Sequence, residues 1–333
     1  MDIRTLLDDL LEVTVVGSFT RVGPAVRSRL FDWAPPPPDI MHGRTVAVTG
    51  PTSGLGLATT RALAALGARV ILAGRSEERL SRLRDELAAT HGDDRFPTVV
   101  VDMASLGSVR AAVERIQTTE ARLDVLIDNA GGIFPERTTS ADGIEATLAT
   151  MVVGPFVLVA GLMPLLERSP GSRVISVTSG GMYAQRLDLD DLTGATEPYD
   201  GTRAYARAKR AQVALIREWA RRHPGGVTFD AMHPGWADSP GLAASLPAFY
   251  GVMGPLLRSP AEGADTIVWL AADPSAAGRN GELFLDRRAR PFDRVRATRL
   301  SAAQRRRLWG LVVKSAGIAD PLPDGPVVSQ PTG

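Results

Sequence analysis

Apolar and polar positions alternate along the chain in two distinct rhythms. Short runs rich in Val, Ile and Thr predict strands at residues 45–49, 69–73, 98–102, 125–129, 173–178, 227–232 and 282–285. Between them, apolar residues recur at helical spacing over residues 54–67, 76–90, 105–118, 141–168, 203–223 and 261–273. Repeated alternation of strand and helix is typical of a parallel sheet with helices on both faces. The pattern therefore predicts an α/β fold, a doubly wound sheet of about seven parallel strands.

The two ends of the chain depart from this alternation. Residues 1–34 mix leucines and valines with scattered arginines, which predicts one or two short amphipathic helices, and four prolines at 35–38 then enforce an extended linker. An arginine-rich helix is predicted near 301–316. We therefore divide the chain into an N-terminal helical extension with a Pro-rich linker at 1–42, the α/β domain at 43–292, a C-terminal helix at 293–318 and a disordered tail at 319–333.

One apolar stretch raises the question of a membrane span. Residues 146–166 carry no charge over 21 positions, which meets the length requirement for a transmembrane helix. Gly154, Pro155 and the position of the stretch within the strand–helix alternation favour a buried core helix instead. The chain starts with acidic residues such as Asp2 and Asp8 and lacks a basic segment before an apolar core. No cleavable signal peptide is predicted, and we expect a cytoplasmic protein.

Composition narrows the chemistry. The formal net charge is +1, so no bulk field attracts nucleic acid. The chain has no cysteine, which excludes disulfides, thiolate zinc sites, iron–sulfur clusters and cysteine nucleophiles. The four histidines lack metal-ligand spacing, and no metal site is predicted. Among 38 basic residues only Lys209 and Lys314 are lysines, so Lys209 either escaped a compositional bias by chance or occupies a place that arginine cannot fill.

A glycine-rich turn links the first predicted strand to the first helix of the alternation. Glycines let the backbone turn tightly and approach a pyrophosphate, which the unpaired N–H groups of the helix N-terminus then bind. An ordinary strand–helix turn would also contain glycine, but the position of this one favours a dinucleotide. The predicted cofactor contacts in this turn are Gly50, Thr52, Ser53, Gly54, Leu55 and Gly56.

The end of the second predicted strand distinguishes two cofactors. An acidic residue there would bind the ribose hydroxyls of NAD, whereas the chain has Arg75 and no carboxylate. An arginine can neutralise the 2′-phosphate of NADP, so NADP is favoured over NAD. A solvated arginine is the alternative in a chain this rich in arginine.

Tyr205 and Lys209 lie four residues apart in a predicted helix, so their side chains share one face. A nearby cation would lower the tyrosine pKa from its ordinary value of about 10, which would suit the phenol to acid–base catalysis. Ser179 ends the fifth predicted strand, where a hydroxyl points into the ligand crevice and can orient a substrate oxygen. A surface helix pair and a turn-capping serine are the alternatives for these common residue types.

Together these motifs resemble the short-chain dehydrogenase/reductase family over about residues 43–292. The resemblance implies a Rossmann-type sheet and an NADP-binding catalytic domain in which Ser179, Tyr205 and Lys209 are catalytic. Tyr205 and Lys209 would also contact the cofactor. It further implies cofactor contacts from Asp102, Met103, Asn129, Ala130, Gly131, Pro234, Gly235 and Ser239. The long stretch between Ser179 and Tyr205 is similar to the retinol-dehydrogenase-like branch, and within it most similar to the dehydrogenase/reductase member-twelve proteins.

One position departs from the family pattern. Met151 stands where the family usually has an asparagine, whose backbone is thought to hold a water that relays protons to the lysine. Methionine cannot reproduce the side-chain hydrogen bonds of asparagine. Our first hypothesis is an oxidoreductase that transfers a hydride between NADP(H) and a hydrophobic carbonyl or alcohol, with Tyr205 as the general acid/base. The departure at Met151 motivates a second hypothesis, an NADP(H)-binding sensor or scaffold of low or no turnover. A sugar-nucleotide epimerase is less favoured, because its glycine pattern differs.

Two further segments bear on the substrate and on membrane contact. The resemblance implies that the segment between Ser239 and Arg258 is a mobile lid over the substrate. Its apolar residues would suit a small hydrophobic carbonyl or alcohol, although the same helices could simply cover the core. Phe19 and Val22 beside Arg21 would suit the N-terminal segment to a membrane surface, but a packed extension is favoured. The resemblance also implies a possible homodimer, paired through the helices predicted at 141–168 and 203–223.

Overall fold

Eight strands form one sheet in the order β3-β2-β1-β4-β5-β6-β7-β8 in the computed structural model, which describes residues 2–92 and 95–323. The strands are β1 (Thr45–Thr49), β2 (Arg69–Gly74), β3 (Thr98–Val100), β4 (Val125–Asp128), β5 (Arg173–Val177), β6 (Thr228–Met232), β7 (Leu283–Leu285) and β8 (Arg288–Ala289). The neighbouring pairs from β1 to β7 are parallel, which confirms the predicted doubly wound Rossmann-type sheet. Most of the tail predicted at 319–333 lies outside the described residues.

Helices flank the sheet and precede it. Three form the N-terminal extension: α1 (Ile3–Val13), α2 (Val15–Phe19) and α3 (Val22–Leu30). The others are α4 (Gly54–Ala65), α5 (Glu77–His91), α6 (Leu106–Thr119), α7 (Ala146–Leu148), α8 (Gly154–Glu167), α9 (Gly201–Arg222), α10 (Pro240–Ser245), α11 (Pro247–Met253), α12 (Pro260–Ala272) and α13 (Ala302–Ala316).

The eighth strand is a two-residue addition that the sequence pattern did not predict. It pairs with β7 in antiparallel fashion, Phe284 opposite Ala289. Asp286 and Arg287 make the turn with φ values of 53° and 56°, the left-handed conformation that two-residue hairpins require. A strand this short has no periodicity of its own, so hydrophobic patterning cannot detect it.

The uncharged stretch near residue 150 forms the most apolar helical segment of the fold. Ala146–Glu167 is long and apolar enough to cross a membrane, yet most of it is buried inside the protein. Gly161 lets this segment approach α6 closely, because a Cβ there would lie 2.6 Å from a methyl of Val113. This packing fits the core helix that we predicted. The segment begins five residues later than expected and contains a π-helical turn, Ala149–Val153, ahead of α8.

The C-terminal helix α13 packs across α8 and α9. The Trp309 ring lies 4.8 Å from Phe156 of α8 and 4.7 Å from Trp219 of α9, both in edge-on geometry. Such aromatic contacts stabilise beyond the area they bury, by about 0.5–1.5 kcal/mol each. This helix therefore covers the outer face of α8 and α9, the two helices through which a homodimer was expected to pair.

Candidate active site

The carboxyl ends of β1, β4, β5 and β6 meet at one edge of the sheet. Between β1 and β4 the strand order reverses, and open α/β sheets bind ligands in the crevice at such a point. The loops that follow these strands contain Ser179 and most of the predicted cofactor contacts, while Tyr205 and Lys209 lie in α9.

The glycine turn has the geometry of a phosphate cradle. Gly50 and Gly54 adopt φ values of 65° and 50°, which favour glycine. A Cβ on Gly56 would lie 2.1 Å from the carbonyl oxygen of Gly50, so only glycine fits there. The hydroxyl of Ser53, the residue preceding α4, makes no capping hydrogen bond to that helix. With Thr52 and Leu55 beside it, the turn fits a pyrophosphate at the N-terminus of α4.

Asn129 holds this turn in shape. Its side-chain amide donates to the carbonyl oxygens of Thr49 and Gly50, at 2.8 and 3.3 Å. The backbone N–H groups of Asn129 and Ala130 both donate to the Thr49 hydroxyl at 2.9 Å. Asn129 thus ties the end of β4 to the end of β1, and Gly131 continues toward Lys209.

The adenine side of the predicted site is less enclosed. Arg75 follows β2, is exposed, and forms no ion pair with any residue in 2–92 or 95–323. Asp102 follows β3 and accepts a hydrogen bond from the Ala104 N–H at 3.0 Å. Met103 is buried, and its carbonyl would lie 2.1 Å from a Cβ on Gly154. Arg75 is therefore free to contact an anionic group.

Ser179, Tyr205 and Lys209 lie together as predicted. Ser179 follows β5 and accepts a hydrogen bond from the Gly181 N–H at 3.3 Å, which orders the turn after the strand. Lys209 is only 3% exposed, and its Nζ donates to the Val177 carbonyl at 2.8 Å. That Nζ lies 5.6 Å from the centre of the Tyr205 ring. The helix α9 thus directs both side chains toward the end of β5.

The electrostatics of Tyr205 differ from the sequence-based expectation. Burial raises the pKa of Tyr205 above its ordinary value, and a hydrogen bond with Ser179 offsets this only in part. We expected Lys209 to lower this pKa, but the lysine is directed to the Val177 carbonyl. Burial also lowers the pKa of Lys209 to about 8, against an opposing effect of the Asp128 charge.

Sequence reasoning missed the buried acid Asp128. Its Oδ2 accepts hydrogen bonds from Ser176 at 3.1 Å and from the Gln212 amide at 2.9 Å. Its Oδ1 and the Gln212 Oε1 are both buried without a partner among the described residues. Burial raises the pKa of Asp128 to about 6, and the Lys209 charge opposes this rise. The signal in the sequence that could have identified Asp128 is a carboxylate at the end of an apolar strand.

Met151 fills space beside the lysine. It is fully buried. A Cβ added to Gly131 would lie 2.9 Å from the Met151 sulfur and 3.5 Å from the Lys209 Nζ, so both side chains surround this glycine. Met151, where the chain departs from the family pattern, therefore lies next to Lys209 and in contact with Gly131. The π-helical turn that contains Met151 keeps the local helix irregular.

The segment after β6 closes the other side of the site. Gly235 has a φ of 70°, and Pro234 precedes it at the end of the strand. Ser239 caps α10 by accepting from the Leu242 N–H at 3.2 Å, and its Cβ would lie 3.4 Å from a Cβ on Gly54. This contact brings the predicted contacts after β6 against the glycine turn.

Helices α10 and α11 occupy the segment that was predicted as a lid. The Phe249 ring lies 5.1 Å from Trp236 in edge-on geometry, and the Tyr250 hydroxyl is 3.1 Å from a carboxylate oxygen of Asp238. These contacts attach the lid to the loop that follows β6. The α11 residues described are not fully buried, as expected for a cover over a cleft.

Comparisons with known proteins give a family match and several similar proteins. A family model described as short chain dehydrogenase matches residues 44–248. The chain is 41% identical over 250 residues to dehydrogenase/reductase SDR family member 12 of Bos taurus, covering 75% of this chain and 78% of that protein. Retinol dehydrogenase 14 of Mus musculus is 35% identical over 84% of this chain and 88% of its own. Polyprenol dehydrogenase of Mus musculus is 34% identical, with 93% and 96% covered.

Solved structures share the fold. A crystal structure of a protein from Mycobacterium Paratuberculosis superimposes with a TM-score of 0.66 at 27% identity, covering 85% of this chain and 96% of that chain. A short chain dehydrogenase from Shigella flexneri, complexed with NADP, gives a TM-score of 0.61 at 22% identity, covering 76% of this chain and 100% of that chain.

Proposed function

The chain belongs to the short-chain dehydrogenase family, in its retinol-dehydrogenase-like branch, and from this premise we propose that it transfers a hydride between NADP(H) and a hydrophobic carbonyl or alcohol. Members of this family are oxidoreductases that bind a nicotinamide cofactor. The observation that carries the proposal is the convergence of Ser179, Tyr205 and Lys209 at the end of β5, beside a glycine turn that fits a pyrophosphate.

The proposed chemistry divides between the cofactor and three side chains. The nicotinamide, when bound, supplies or accepts the hydride. Ser179 donates a hydrogen bond to the substrate oxygen and orients it. Tyr205 gives a proton to that oxygen in the reductive direction and takes one from an alcohol in the oxidative direction. Tyr205 is protonated at neutral pH, since burial raises its pKa above the ordinary value, so the proton needed in the reductive direction is present on the phenol.

Arg75 is the basis for proposing NADP over NAD. The residue is exposed at the end of β2, and no carboxylate lies at that strand end to bind ribose hydroxyls. A guanidinium without an ion pair is suited to a 2′-phosphate, which it can bind through two parallel hydrogen bonds. Asp102 and Met103 would border the adenine from the end of β3.

The substrate class follows from the lid and from the relatives. Apolar side chains of α10 and α11 would cover a hydrophobic substrate. Two of the similar proteins are named for retinol and polyprenol, both lipophilic alcohols. We propose a lipophilic substrate for this chain also. We further propose, as first expected, that the protein is cytoplasmic. A homodimer also stays a proposal, and pairing through α8 and α9 would have to accommodate α13, which packs on Phe156 and Trp219.

Two measurements test this function. Fluorescence titration is expected to give a lower Kd for NADPH than for NADH, and Arg75→Ser is expected to remove most of that preference. Steady-state assays with a panel of apolar ketones and aldehydes are expected to show turnover. Binding of NADPH without turnover of any substrate would favour the sensor or scaffold hypothesis instead. Failure to bind either nucleotide would contradict both.

A further inference from the structure

Residues 18–20, the last two residues of α2 and the residue that follows (the α2–α3 turn), reach the candidate active site, although they lie outside the residues 44–248 that match the family model. Phe19 ends α2 and is 4% exposed. Its ring packs against the backbone of Gly180, where a Cβ would lie 2.4 Å from Phe19 Cε2. Because Gly180 directly follows Ser179, the Phe19 ring supports the turn that carries the catalytic hydroxyl.

The same turn contacts the loop after β6. The Trp236 N–H donates to the Phe19 carbonyl at 2.7 Å. A Cβ on Gly235 would lie 2.6 Å from that carbonyl oxygen and 2.6 Å from the Arg258 Nε, so only glycine permits this approach. The Phe19 ring also lies 4.9 Å from the His233 ring. Phe19 therefore contacts both loops that border the proposed site of hydride transfer.

The Arg258 side chain holds the turn through hydrogen bonds. Its side chain is buried and donates to the carbonyl oxygens of Ser18, Phe19 and Thr20, at 2.6, 3.0 and 3.2 Å. It also forms two hydrogen bonds to Asp286, at 2.5 and 3.0 Å. Three consecutive carbonyl groups are thus held by one guanidinium, which fixes the path of the turn.

The backbone of Arg258 extends this attachment to the cofactor side. Its N–H donates to the Trp236 carbonyl, and its carbonyl accepts from the Asp238 N–H, both at 2.8 Å. One residue therefore connects the N-terminal turn with the loop that contains Gly235. The arrangement leaves the Ser179 turn, the Gly235 loop and residues 18–20 in a single packed unit.

We propose that the α2–α3 turn, residues 18–20, is part of the active site, where Phe19 and Arg258 act as positioning residues that set the Ser179 turn against the Gly235 loop. The inference rests on the proposed function, since it assigns these two loops to the substrate oxygen and the nicotinamide end. A displacement of about 1 Å between reacting groups can cost about 100-fold in rate. The N-terminal extension would thus be required for turnover and not for binding the pyrophosphate.

The test compares two Phe→Ala variants of the full-length chain. Phe19→Ala removes the ring under Gly180, whereas Phe96→Ala removes an equally buried ring near the start of β3, at the far edge of the sheet. Both are expected to lower the Tm. Phe19→Ala is expected to lower kcat about 10- to 100-fold, with a Kd for NADPH within threefold of the wild type. Phe96→Ala is expected to keep kcat within threefold.

A second measurement does not depend on turnover. Hydrogen exchange of the backbone amides is expected to be faster at Trp236 and Gly181 in Phe19→Ala, and unchanged there in Phe96→Ala. Wild-type kcat in Phe19→Ala, equal kcat losses in the two variants, or unchanged exchange at Trp236 would each overturn the inference. A wild type without turnover would instead contradict the proposed function, and the exchange experiment would still decide whether the turn positions the two loops.

Discussion

Two regions of this protein bury charge in opposite ways. Beneath the candidate active site, Lys209 and Asp128 are buried with few partners, and burial shifts the pKa of each toward its neutral form. In the N-terminal extension, the fully buried Arg27 forms ion pairs with Asp8, Glu12 and Asp286, at 2.6, 2.7 and 2.6 Å. Burial alone would raise the pKa of Asp8, yet hydrogen bonds and charges of arginines lower it.

The difference follows from the number and geometry of the partners. A guanidinium offers a planar fork of donors, so several carboxylates can be satisfied around one arginine, whereas an ammonium is a compact charge. The arginine network stays ionised and attaches the extension to the β7–β8 hairpin through Asp286. Burial brings the pKa of Lys209 to about 8 and that of Asp128 to about 6, so both groups titrate near neutral pH, and groups with such shifted pKa values are suited to moving protons. One region is therefore structural, and the other is available for chemistry.

Removing the centre of the network has the largest expected effect. Arg27→Met would leave Asp8, Glu12 and Asp286 with fewer positive partners in a buried site, and breaking such a pair costs about 3–5 kcal/mol. We expect the free energy of unfolding, measured in urea, to fall by that amount. Arg27→Lys, which keeps the charge without the fork, is expected to lose less. A loss below about 1 kcal/mol in Arg27→Met would contradict the structural role.

Removing the lysine of the other region is expected to act on rate. Lys209→Met takes away the ammonium while keeping a long apolar side chain, and loss of a group in acid–base catalysis costs about 10²–10⁴-fold in kcat. The free energy of unfolding is expected to fall less than in Arg27→Met, because the lysine's cost of desolvation disappears and Asp128, whose pKa is already about 6, can take up a proton. Steady-state kinetics and urea unfolding measure the two quantities on one preparation. A stability loss as large as that of Arg27→Met would remove the contrast between the regions.

The sequence predicted one region far better than the other. Ser179 and the glycine turn follow strands in a regular alternation, and Tyr205 lies one helical turn from Lys209, so strand ends and helical spacing indicate these positions. The Arg27–Asp286 ion pair joins residues 259 positions apart, and no local pattern indicates that contact. The state of Asp128 depends on Gln212 from α9 and on Ser176 from β5, which only the assembled sheet brings together. The Tyr205 pKa also shifts upward because the side chain is buried, and that burial exists only in the folded protein.

The pH dependence of stability is expected to differ in Asp128→Asn. The folded-state pKa of Asp128 is raised from 3.8 to about 6, so its protonated form stabilises the fold at low pH. That contribution is complete below the unfolded value and is lost as the pH rises through about 6. The variant should therefore lose less stability than the wild type between pH 4 and 7, by about 1.4 kcal/mol for each pKa unit of the shift. Urea unfolding across this range measures the slope.

The same variant should change the behaviour of Lys209. The Asp128 charge raises the lysine pKa against burial, so its removal is expected to lower that pKa below about 8. In a profile of kcat/KM against pH, the limb assigned to Lys209 would then move toward lower pH. An unmoved limb, together with the altered stability slope, would mean that Asp128 contributes to folding without influencing the lysine.

The smallest effect is expected for an exposed ion pair in the same extension. Arg4 of α1 contacts Asp32 at 3.0 Å, but the two side chains are 51% and 74% exposed. Water screens such a pair, and exposed pairs contribute about 0.2–1 kcal/mol. Arg4→Ala should therefore lower the free energy of unfolding by no more than this, with the difference disappearing in 1 M salt, where the Debye length falls to about 3 Å. Arg4 and Arg27 both pair with an aspartate at similar distance. If Arg4→Ala and Arg27→Met lowered the free energy of unfolding by comparable amounts, burial and the number of partners would not determine how much these pairs contribute.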